Sequence, residues 1–128
     1  MVTRCLGTNQ VEALARAIAR PGDVTGGATP PYALRTGLRY VTLVSPRPGV
    51  VPDEAGLARI RGLGSYLDMV LTSAPGTAVP TTVDLATSPG YVYLSSADPD
   101  LVEADYRRLR ELEQDGLYDD PTAASPAA

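Results

Sequence analysis

The chain contains no histidine, lysine, tryptophan or phenylalanine, and it has one cysteine, Cys5. Without histidine there is no histidine-based catalytic triad, no imidazole metal ligand and no general base that titrates unaided near neutral pH. Without lysine there is no Schiff base and no phosphate-binding Walker lysine. A lone Cys5 makes no internal disulfide and no intrachain zinc site, so a reducing, cytoplasmic setting is the expectation. Its place near the N-terminus, with no base partner in the sequence, reads as inert. Any chemistry falls to Asp, Glu, Tyr, Arg, Ser, Thr or Cys5, with no cofactor implied. No run approaches the roughly 18 apolar residues of a membrane span. The start, Met1-Val2-Thr3-Arg4-Cys5-Leu6, lacks a signal-peptide core.

What is present is ordinary for a folded chain. Its 128 residues fit one main domain, and a hydrophobic fraction of 44 % is enough to build a core. The net charge is −4 and all 11 basic residues are arginine, which argues against a nucleic-acid partner.

Periodicity and punctuation divide the chain in three: a helix and Gly/Pro-rich linker over 1–36, an α+β domain over 37–117, and a disordered tail over 118–128. Residues 9–19 predict a helix, capped by Thr8 or Asn9, with Val11, Leu14 and Ile18 on one side. Strands are expected at 37–45, 65–73 and 91–96, with short ones at Val50-Val51 and 78–83, where Pro80 restricts the strand to an edge. Asp53 starts a helix carrying Leu57, Ile60 and Leu63. Asp98 and Pro99 start the last helix and Gly116 ends it, with Leu101, Val102, Tyr106, Leu109 and Leu112 inward. Glu103–Arg107 and Arg107–Glu111 are i, i+4 pairs on its outer side. The order predicts a small antiparallel sheet with helices packed on one face.

Strand alternation then sorts the side chains. Val41, Leu43, Leu67, Met69, Leu71, Val92 and Leu94 form an aliphatic face for the helices. Tyr40, Thr42, Tyr66, Asp68, Val70, Thr72, Tyr91, Tyr93 and Ser95 form the other. Asp68 stands mid-strand, where aspartate is disfavoured. On the catalytic reading Asp68 is an acid or base, and Tyr40, Tyr66, Tyr91, Tyr93 and Thr42 position a small molecule. Alternatively the face is solvated, or it is a homodimer interface, since tyrosine is enriched in interfaces. Arg39 belongs to the sheet rim. Arg107, Arg108 and Arg110 sit among Glu103, Asp105, Glu111 and Glu113 and read as a solvated helix face.

Several short motifs fall in a familiar order: the strand Leu38–Val44, the turn Pro46–Val51, the helix Leu57–Leu63, then Pro75-Gly76-Thr77-Ala78-Val79, Gly90-Tyr91-Val92-Tyr93-Leu94 and the helix Asp98–Leu112. With these, residues 37–113 resemble the C-terminal domain of ATP-grasp carboxylate–amine ligases, the L-amino-acid ligase and biotin-carboxylase-like group. Ala86-Thr87-Ser88-Pro89 stands where that family usually has an arginine or similar polar residue. The family's ATP-binding lysines and magnesium-binding residues lie in other parts of the ligase, so the resemblance implies the fold rather than the reaction. Three expectations follow. The chain is a small cofactor-independent enzyme of secondary metabolism, a cyclase, isomerase or lyase, with its pocket on the tyrosine face. Or it is an accessory subunit completing a split ATP-grasp ligase. Or it is a non-catalytic ligand-binding or homodimeric module.

Overall fold

The structure is a computed structural model, and it describes residues 5–22 and 34–120. Residues 23–33 of the expected Gly/Pro-rich linker and residues 121–128 of the expected tail lie outside the described residues. Contacts divide the chain into two units that meet between Gly37 and Leu38.

In the first unit, helix α1 (Gln10–Ala19) begins one residue after the expected start. The Asn9 Oδ1 accepts a hydrogen bond from the Glu12 N–H at 2.9 Å, satisfying one of the donors that every helix start leaves over. None of its residues is buried, and Val11, Leu14 and Ile18 are 77 %, 62 % and 72 % exposed. Cys5 is buried, and the Thr36 hydroxyl donates to its Sγ at 3.5 Å.

The second unit is the expected α+β domain. Its elements are β1 (Gly37–Thr42), β2 (Gly49–Val50), α2 (Glu54–Arg61), β3 (Tyr66–Leu71), β4 (Ala78–Val79), β5 (Gly90–Ser96) and α3 (Pro99–Gln114). The antiparallel three-stranded sheet has the order β1-β5-β3, and β2 pairs with β4 in a second small ladder. The strand latest in the chain is therefore central. β5 pairs antiparallel with β3 from Tyr66↔Leu94 to Leu71↔Gly90, and on its other edge the Leu43 N–H donates to the Gly90 carbonyl at 2.8 Å.

Both helices start and stop where local chemistry dictates. The Asp53 Oδ1 accepts from the Gly56 N–H at 2.9 Å, with Glu54 in the first turn and Arg59 and Arg61 in the last, each favourable to the helix dipole. Asp98 accepts from the Asp100 N–H and Pro99 follows it. At the far end Gly116 takes φ +85°, and the Leu117 N–H reaches back to the Leu112 carbonyl at 3.1 Å. That six-residue return is a Schellman closure, with Leu117 and Leu112 both in the core.

The core lies between the sheet and the two helices. Val41, Leu43, Val92 and Leu94 from the sheet meet Ile60 of α2 and Val102, Leu109 and Leu112 of α3. Each fully buried aliphatic side chain contributes about 1.5–3 kcal/mol relative to exposure. Tyr118, placed by the sequence at the start of the tail, is instead 2 % exposed and part of this core. The Val50 N–H donates to its carbonyl at 2.9 Å, so β2 holds the segment after α3 against the domain. Leu101, expected inward, is 36 % exposed at the start of α3.

Candidate functional site

Both helices of the second unit pack on the aliphatic face of the sheet, and strand alternation puts a different set of side chains on the other face. Tyr40, Tyr91 and Tyr93 gather there. The Tyr40 ring lies 5.1 Å from Tyr91 and 5.5 Å from Tyr93, and Tyr91 lies 5.5 Å from Tyr93. One pair is tilted and two are edge-to-face, the arrangements that ring quadrupoles favour. Tyr40 is 52 % exposed and Val70 41 %, while Tyr91 and Tyr93 are half-buried by their neighbours. None of the three phenol hydroxyls makes a hydrogen bond among the described residues. The Tyr93 phenol is pushed up from its ordinary value, first by partial removal from water, then by Tyr91, Tyr40 and the Asp68 carboxylate.

Asp68 is the register partner of Tyr93 on this face, as alternation requires, and it is exposed. Its mid-strand position has a local cause. The register slips between Tyr66 and Asp68, and beside this bulge the Asp68 Oδ1 accepts from the Met69 N–H at 2.8 Å. Asp68 forms no ion pair among the described residues.

The same slip corrects one expected site residue. Strict alternation places Tyr66 with Asp68, but the extra residue at the bulge turns Tyr66 to the opposite side. Tyr66 pairs with Leu94 and packs against the core, so it is not part of the tyrosine cluster. Leu67, the bulged residue, is half-buried and outside the core. Thr42 is half-buried at the end of β1, and its carbonyl accepts from Arg110 Nη2 at 2.8 Å. Of the six residues named from sequence, Tyr40, Tyr91, Tyr93 and Asp68 come together on one face.

The helix side holds a second group of polar residues. Arg39 pairs with Glu103 and sits over Tyr106, with its Cζ 3.5 Å from the ring centroid. Glu103 also accepts from Arg107, and the two arginines hold its carboxyl below its ordinary value. Arg108 pairs with Glu111 rather than leaving that role to Arg107, and Arg110 pairs with Glu113. Arg107, Arg108 and Arg110 are thus paired within their own helix, but the expected solvated face is only partly so, since Asp105 and Glu113 are buried.

Glu113 is 2 % exposed and accepts from the Val44 N–H at 2.8 Å and from Arg110 at 2.5 Å. Burial pushes its carboxyl up, against the pull of Val44 and Arg110. Tyr118 beside it is pushed up in turn by burial and by the Glu113 charge, and its hydroxyl is buried without completing a hydrogen bond. Asp105 accepts from the Ser65 N–H at 2.6 Å and the Ser65 hydroxyl at 2.7 Å. Helical spacing carries the signal for both acids: Asp105 and Glu113 lie four residues either side of Leu109, on the inward stripe. They serve packing and backbone satisfaction, away from the tyrosine face.

A cleft of about 270 Å³ opens at the start of α2, lined by Pro52, Asp53, Gly56, Arg59, Leu117 and Asp119 among others. None of the tyrosines of the open face lines it. Among the described residues no group of His, Cys, Asp and Glu is placed to hold a metal ion, and no helix is long and apolar enough to cross a membrane. Comparison with protein-family models, with curated proteins and with solved structures finds no match to the chain.

Proposed function

We propose that this chain is an accessory docking domain that binds a partner protein through the open face of its sheet. The observation that carries this reading is the mutually packed cluster of Tyr40, Tyr91 and Tyr93 opposite the helices, with Tyr40 exposed and the other two half-buried. Tyrosines of this kind combine a large apolar area with a hydroxyl and lose little rotamer freedom on binding, which makes them strong interface anchors. A small-molecule enzyme encloses its reacting groups in a concave site. Here Asp68 and Tyr40 stand exposed on a sheet face, a geometry that suits an extended partner surface better. The likeness of residues 37–113 to the ATP-grasp C-terminal domain supports one partner in particular, a separate carboxylate–amine ligase core. The exposed stripe Val11, Leu14 and Ile18 of α1 supports the same reading, as a second apolar surface that a partner can cover.

The test is affinity capture of the tagged full chain from its native lysate, run in parallel with Tyr40→Arg. The expected result is a larger ATP-grasp protein recovered near equal stoichiometry with the wild type and reduced at least tenfold with the variant, whose melting temperature is unchanged. Adding both purified proteins should then give ATP-dependent amide formation. A chain that is recovered alone and converts a small substrate by itself, with Asp68→Asn inactive, would overturn the docking reading in favour of the catalytic one. A self-dimer broken by Tyr93→Arg would replace the foreign partner with a second copy.

A further inference from the structure

The helix side of the domain shows how this chain holds a guanidinium. Arg39 lies 3.5 Å over the Tyr106 ring while pairing with the Glu103 carboxylate. The planar, weakly hydrated arginine head is suited to both contacts at once, since it stacks on a ring face and donates to a carboxylate in its own plane. The open face presents the same two chemistries side by side. Asp68 is the register partner of Tyr93, and Tyr93 lies 5.5 Å from Tyr40, which is more than half exposed. One Asp68 oxygen accepts the Met69 N–H, and its second oxygen makes no hydrogen bond among the described residues. Arg39, next to Tyr40 on β1, and Arg110 are both committed on the helix side, to Glu103 and Glu113. The face therefore combines a negative charge with electron-rich ring faces, and no cation among the described residues pairs with that charge.

We infer that the open face docks an arginine side chain of a partner polypeptide, its guanidinium stacked on Tyr40 and Tyr93 and paired with Asp68. The inference rests on the docking reading of the same face and names what that face recognises. A phosphate-rich partner is disfavoured by the carboxylate. A lysine ammonium is a compact, strongly hydrated charge that gains less from the rings. Leu38 and Val70, 39 % and 41 % exposed on the same side, extend the surface beyond what one guanidinium covers, so a polypeptide around the arginine fits better than a free metabolite.

The experiment follows the backbone amides of the isotope-labelled full chain by NMR during titration with acetyl-Gly-Arg-Gly-amide. The control is the same peptide with citrulline, which keeps the shape and removes the charge. The expected result is a saturable shift at Asp68, Tyr91 and Tyr93 in the millimolar range, at least tenfold weaker with citrulline. Asp68→Asn should weaken arginine-peptide binding at least fivefold without altering the spectrum elsewhere, and Tyr40→Ala should do the same. Free arginine should bind more weakly than the peptide; equal or tighter binding would overturn the polypeptide assignment. Equal shifts with both peptides, no loss in Asp68→Asn, or no saturable shift would each overturn the guanidinium proposal. If partner capture remains Tyr40-dependent in those cases, the docking reading stands without it. If capture is also indifferent to Tyr40→Arg, both fail.

Discussion

Tyr118 and Glu113 meet in the core with their needs imperfectly matched, and that mismatch has measurable consequences. The Tyr118 hydroxyl is buried beside Glu113 without completing a hydrogen bond to it, so its desolvation is only partly offset. Tyr118→Phe should leave stability unchanged or raise it by up to about 1 kcal/mol, read by urea denaturation. The pH dependence carries the same signature. The folded state holds the Tyr118 proton more tightly than the unfolded chain, whose tyrosine has its ordinary value of 10.0. Its contribution to stability is therefore fully present below that value and is lost as pH rises above it. The wild type should lose stability faster than Tyr118→Phe between about pH 10 and 11. Glu113 has the same sign at the acid end: its raised carboxyl favours folding below the ordinary value of 4.5, and this contribution fades as pH climbs through the folded value. Asp105 is a different case, because both its bonds to Ser65 are short and buried. Asp105→Ala should cost about 1–3 kcal/mol for each Ser65 group left without a partner, seen as a lower denaturation midpoint.

At the scale of elements, the positions with a local cause were legible in the sequence. Asp53, Asp98, Pro99 and Gly116 mark helix ends through hydrogen bonds and backbone angles that only a few residue types satisfy, and the structure uses each of them at that place. The face of Tyr40, Tyr91 and Tyr93 followed from a period of two. Tyr66 did not, because one extra residue at Leu67 reverses the count, and nothing in the run Tyr-Leu-Asp-Met-Val-Leu distinguishes a bulge from a regular strand except an out-of-place aspartate. The strand ends at 43–45 and 72–73 were also overrun, since apolar and β-branched composition continues past the ladder. The order β1-β5-β3 depends on pairing across the chain and has no local signal. Gly90 shows how tight that pairing is. It sits at φ +151°, and a Cβ there would fall 2.1 Å from the Val70 carbonyl oxygen of the neighbouring strand. Gly90→Ala should destabilise the domain by at least about 2 kcal/mol, read as a clear fall in melting temperature.

For the molecule as a whole, the division between Gly37 and Leu38 predicts separable behaviour. A fragment of residues 38–128 should give a cooperative thermal transition with a melting temperature close to that of the full chain. A broad, non-cooperative melt would show instead that residues before Leu38 belong to the same folding unit. The full sequence made the α+β class legible because each element carries its own period. It did not make the function legible to the same degree, since the tyrosine face bears binding chemistry without a motif that names the ligand.

The central place of β5 also sets a timetable for synthesis. β1 and β3 leave the ribosome first, yet they share no edge until Gly90–Ser96 is inserted between them. The core then still waits for α3 and for Leu117 and Tyr118, almost the last described residues. A nascent chain halted at residue 89 should show no protected amides of the three-stranded sheet in hydrogen exchange, and one released after residue 120 should show the full set. Until that late point the growing chain exposes the aliphatic sides of two unpaired strands, surfaces that chaperones and other chains can bind.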